Sequence, residues 1–162
     1  MIAVINIVLI AMLLLVIFQD LKQRAIHVSL PVIICGLAIA KFKLAAYPLQ
    51  ELLTTSIFLG IIIFGLFIYV SVKSKKIVNP IDSSIGLGDI VFFVAIIPLF
   101  FSTSYVLFFI TGMLISIFGH IFFNKRKDLH VPLAGYLSMY LIALLVLNTF
   151  TTNELFYTHY LL

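Results

Sequence analysis

The 162-residue chain is 64% hydrophobic and 10% charged, against about 25% charged in an ordinary soluble domain. Its mean hydropathy is +1.28, and so short a chain has no soluble core able to hide that much apolar side chain, so the bilayer is its solvent. The net charge of +4 comes from short basic clusters between apolar runs, a pattern of membrane loops that argues against a nucleic-acid partner.

With roughly 20 mainly apolar residues needed per span, the sequence predicts an all-α, polytopic transmembrane bundle of six spans, forming one membrane-embedded domain over 1–162. Ile2 to Phe18 is the first. It lacks a basic n-region and a small-residue cleavage site before Asp20, so it reads as a retained span rather than a signal peptide. Ile26 to Phe42 is the second, with Pro31 near its start and a lone, packed thiol at Cys35, which excludes an intrachain disulfide. Leu52 to Val70 is the third, and residues 71 to 84 form the longest polar connection. Ile85 to Phe101 is the fourth and holds Gly86, Gly88, Asp89 and Pro98. Ser102-Thr103-Ser104 is predicted to turn into the fifth, Tyr105 to Phe123, and Val131 to Leu147 is the sixth, followed by a polar-aromatic tail. Gly60 and Gly65 are five apart, which is not the GxxxG spacing of a close helix crossing.

Six spans sort the loops into two sets. Those after spans one, three and five carry Lys22, Arg24, Lys73, Lys75, Lys76, Lys125, Arg126 and Lys127, and the other set carries Lys41 and Lys43. Eight basic residues against two put the three basic loops in the cytoplasm and both termini outside. The four aspartates, Asp20, Asp82, Asp89 and Asp128, then fall on the cytoplasmic side, and Glu51 and Glu154 outside.

Two aspartates stand out by position. Asp20 closes the first span, where the negative end of the helix dipole disfavours a carboxylate; the plain alternative is that the helix has already ended and Lys22 or Arg24 neutralises it. Asp89 lies one turn, roughly 6 Å, inside the fourth helix, where an ionised Asp costs up to about 2.5–3.5 kcal/mol at the centre of a span and less near its border. It could simply be the N-cap, but Gly86 and Gly88 beside it remove side-chain bulk, as close approach of a peptide backbone requires. Brought together, two such carboxylates do not both ionise readily. They share a proton, one acting as general base towards water and the other as general acid towards an amide. That chemistry calls for no metal and no organic cofactor.

At these residues the chain resembles the prepilin peptidases, bacterial members of the GxGD aspartyl protease family. The resemblance rests on Asp20-Leu-Lys-Gln-Arg24-Ala-Ile26, on Gly86-Leu87-Gly88-Asp89 and on Val131-Pro132-Leu133-Ala134 before the last span. It implies that Asp20 and Asp89 are the catalytic pair, with Gly86, Gly88 and Arg24 against the substrate. It further implies a bacterial inner-membrane enzyme that cuts the leader of type IV pilin-like precursors after a glycine at the cytoplasmic face. His27-Val28 stands where the family usually has Pro-Asn, and Val91 where it usually has Lys. The chain lacks the cysteine-containing methyltransferase region of the larger members, so it resembles the short, peptidase-only form, and no N-methylation is expected.

Other side chains carry weaker signals. Asp82 beside Pro80 suits a turn, Asp128 a solvated pairing with Lys125 to Lys127, and His27, His120, His130 and His159 show no ligand spacing for zinc. Two functions of other classes compete with the peptidase. One is a small carrier or channel using an intramembrane acid, which favours acids at the midplane and two-half symmetry. The other is a non-catalytic membrane component of a pilus or secretion assembly.

Overall fold

The computed structural model describes residues 1–23, 26–74, 86–123 and 132–150. These form six helices and no strand: α1 (Ile2–Gln23), α2 (Ser29–Leu44), α3 (Leu49–Ser74), α4 (Leu87–Ile96) with a 3-10 turn over Ile97–Leu99, α5 (Ser102–Phe123) and α6 (Leu133–Phe150). The molecule is an all-α bundle, as the six apolar runs predict. Three helices, α1, α3 and α5, are long and apolar enough to cross a membrane, and the stretches Leu87–Leu99 and Leu133–Asn148 are shorter apolar helices.

The helices overrun or undershoot the apolar runs for identifiable reasons. α1 does not stop at Phe18 but continues through Asp20 to Gln23, since Gln, Leu and Lys are good helix formers. Ser102-Thr103-Ser104 is not a turn but the first turn of α5, because Glu51 supplies its cap. Glu51 Oε2 accepts the Ser102 N–H at 3.0 Å and the Ser102 hydroxyl at 2.7 Å, placing a carboxylate at a helix N-terminus where it is favoured. The fourth apolar run yields only the ten residues of α4. Pro98 has no N–H to give Val94, and the chain tightens into the 3-10 turn. Lys41 is not in a loop but in the last turn of α2, and is only 4% exposed.

Residues 45–48 join α2 to α3 through a Schellman motif. Ala46 takes φ of 53°, its N–H donates to Lys43 O at 3.2 Å, and Tyr47 N–H donates to Phe42 O at 3.4 Å. The accompanying apolar contact is Phe42 against Tyr47, ring centroids 5.9 Å apart.

The Glu51–Ser102 contact and Tyr47 against Phe101 (5.0 Å) mark one end of the bundle. Above it sits an aromatic cluster in which Phe93, Phe58 and Tyr105 meet Phe109 and Phe100, and the Tyr105 hydroxyl donates to Phe93 O at 3.1 Å. Towards the other end, α1 packs along α6. The buried residues of α1 are Leu9, Leu13, Val16 and Asp20, a seam stepping by four, three and four as in coiled-coil packing. α5 approaches α6 at Gly112 and Gly119, with Ser116 buried between them: a Cβ on Gly112 would lie 2.5 Å from Leu137 Cδ2, and one on Gly119 would lie 3.1 Å from the Tyr136 ring. This is the small-residue crossing of a membrane bundle. Gly60 and Gly65, by contrast, face open space. Cys35 is half-buried against the core.

Candidate active site

Asp20 and Asp89 come together at the N-terminus of α6. A helix leaves its first N–H groups without internal partners, and a Ser, Thr, Asp or Asn at the N-cap usually accepts one of them. The residue before Leu133 is Pro132, which offers no side-chain acceptor. The donors are filled instead from two other helices. Ala134 N–H donates to Asp89 Oδ1 at 3.0 Å, and Gly135 N–H donates to Asp20 Oδ2 at 2.6 Å. Because Ala134 and Gly135 are neighbours, with Cα atoms about 3.8 Å apart, the two carboxylates are held side by side, near enough to feel each other's charge.

Each acid arrives by a different route. Asp20 is the last member of the buried α1 seam and is only 5% exposed. Its own helix ends three residues later, so the α1 dipole opposes a negative charge there while the positive end of α6 offsets it. Asp89 is not the N-cap of α4; Gly86 is, with φ −64° and ψ 139°. Asp89 is the third helical residue, and its carboxylate reaches back to the Gly86 backbone, the geometry of one half of a capping box. A Cβ on Gly86 would lie 3.2 Å from Asp89 Oδ2.

The second glycine of the motif serves packing. A Cβ on Gly88 would lie 3.5 Å from Ile26 Cβ, so Ile26, half-buried against the core, occupies the space beside the start of α4. Ile26 is in turn held by its neighbour: His27 N–H donates to Gln19 Oε1 at 3.0 Å, and His27 Nδ1 lies 2.8 Å from Ser29 Oγ. A proline at position 27 would have no N–H for Gln19. His27 therefore brings a hydrogen bond beside Asp20 that proline at this position does not allow.

Of the residues predicted to form the site, Asp20, Gly86, Gly88 and Asp89 gather at this end of the bundle. Arg24 lies outside the described residues, as do Asp82, Asp128, His130, Glu154 and His159. His120 is in the last turn of α5. Among the described residues no group of three or more His, Cys, Asp and Glu side chains could hold a metal ion. The sequence reading missed the amides of Ala134 and Gly135, which any residue but proline would carry. The available signal was Pro132 at a helix start with no capping residue.

No protein-family model matches the chain, and no curated protein or solved structure matches it.

Proposed function

We propose that the protein is a membrane aspartyl endopeptidase of the prepilin type. In this reading it cuts the leader of a type IV pilin-like precursor at the cytoplasmic face of a bacterial inner membrane, with both termini outside. The observation that carries the reading is the pairing of Asp20 and Asp89, from separate helices, on adjacent amides of a third. Two carboxylates so placed share a proton. The ionised one takes a proton from water as it attacks the scissile carbonyl, and the protonated one delivers a proton to the leaving amine. Gly86, exposed and extended beside Asp89, leaves room for a peptide backbone, and Arg24 is a further proposed substrate contact. No cofactor takes part in this scheme.

One observation favours a second reading, a non-catalytic component of a pilus or secretion assembly. Capping α6 is a structural duty in itself, and such a component would keep both acids for it. Asn separates the two, because it retains an acceptor oxygen for the amide while losing the titratable proton. The test is co-expression with the pilin-like precursors of the same genome, followed by precursor mass. Wild type should shorten a precursor, and Asp20→Asn and Asp89→Asn should each leave it uncut while accumulating in the membrane at normal levels. Cutting by both variants would overturn the enzymatic role of the pair. A carrier or channel receives less support, since Asp20 and Asp89 sit at helix ends rather than at mid-span.

A further inference from the structure

We infer that Gly135 is a positioning residue for the acid pair, its missing side chain being what lets Asp20 reach the first turn of α6. The inference rests on the endopeptidase reading of Asp20 and Asp89.

Glycine is a poor choice within a helix, surpassed only by proline, and position 135 does not need it for conformation. No glycine among the described residues has a positive φ. The need is for space. A Cβ on Gly135 would lie 3.0 Å from Asp20 Oδ2, 3.5 Å from its Cβ and 3.6 Å from its Cγ. Oδ2, Cγ and Cβ of Asp20 thus crowd the Gly135 position, where Oδ2 accepts the 2.6 Å hydrogen bond. A methyl group there would push Asp20 away by a few tenths of an ångström. Asp89, held separately by Ala134 N–H, would stay in place. The change would fall on the separation of the two carboxylates, the quantity on which proton sharing and attack by water depend.

Both α5-facing and site-facing turns of α6 are crowded, which supplies a control. Gly112→Ala brings a methyl group against Leu137 of the same helix without touching either acid. The full chain, purified in detergent, is assayed on a pilin-like precursor of the same genome. Gly135→Ala should lower kcat roughly tenfold, a fraction of the roughly 100-fold scale of a full 1 Å misplacement of reacting groups, with KM within about twofold of wild type. Gly112→Ala should lower thermal stability and leave kcat per folded molecule unchanged. Wild-type kcat in folded Gly135→Ala would overturn the inference. So would an equal kcat loss in Gly112→Ala.

A double-mutant cycle reads the same contact without activity. The stability loss caused by Gly135→Ala should disappear in an Asp20→Ala background, which also recovers the protein if the single variant does not fold. A loss that persists unchanged would refute the contact. If wild type cuts no precursor, the endopeptidase reading falls, and the cycle still decides whether Gly135 holds Asp20.

Discussion

Under the proposed endopeptidase function, Asp20 and Asp89 each have two tasks, and the tasks are separable in pH. As caps they need only an acceptor oxygen. As a catalytic pair they need one proton between them, so the cut should follow a bell-shaped pH profile: the rate falls on the acid side as both carboxylates protonate, and on the alkaline side as the shared proton leaves. The two limbs belong to the pair rather than to either residue. Initial rates across pH in detergent check this, and a single sigmoid would argue for one titrating acid. At this scale the sequence was legible where a residue type is rare in its surroundings, as two carboxylates bordering apolar runs are. It was not legible where the backbone acts. Nothing in the letters Ala134 and Gly135 announces that their N–H groups hold the pair, and the space at Gly88 shows its purpose only once Ile26 is seen to fill it.

Helix boundaries depended on contacts distant in sequence. Glu51 extends α5 back to Ser102 from 51 residues away, and Pro98 curtails α4. The α2–α3 connection was hidden for another reason: its left-handed residue is Ala46 rather than the usual glycine. An L-residue there costs roughly 1–2 kcal/mol, partly returned by the lower unfolded-state entropy of alanine. Ala46→Gly should therefore stabilise the protein by about 0.5–1 kcal/mol, read as a higher midpoint of unfolding in mild detergent. Glu51→Ala should cost about 0.5–2 kcal/mol by removing the α5 cap, and Glu51→Gln, which keeps an acceptor, should lose less. The same unfolding measurement reports both.

Six apolar runs gave the architecture, because a bilayer demands helices that satisfy their own backbone. Which face of each run is buried was not visible. In a soluble helix the apolar stripe identifies the core, whereas Leu14, Leu15 and Phe18 on the exposed side of α1 are as apolar as Leu9, Leu13 and Val16 on the buried side. Gly112, Ser116 and Gly119 were the readable clue to packing, and it lay in the fifth run rather than at Gly60 and Gly65. Helix lengths also differ across the molecule. α3 has 26 residues, about 39 Å, while α4 with its 3-10 turn spans about 21 Å against a hydrocarbon core of about 30 Å. Where lipid meets α4, the mismatch favours local thinning of the bilayer, at a cost of fractions of a kcal/mol per ångström. Precursor cutting in proteoliposomes should accordingly slow as phosphatidylcholine acyl chains lengthen from 14 to about 22 carbons. A rate indifferent to chain length would show that α4 is shielded from lipid.

Capping of the α6 start from other helices has a consequence for biogenesis. α1 and α4 leave the ribosome before α6 does, and domains generally form from the N-terminus onwards during synthesis. Until the sixth helix inserts, Asp20 and Asp89 have neither of the amides that bring them together. A nascent or truncated chain ending before Pro132 therefore carries both acids but no assembled pair, and under the proposed function competence arrives only with α6.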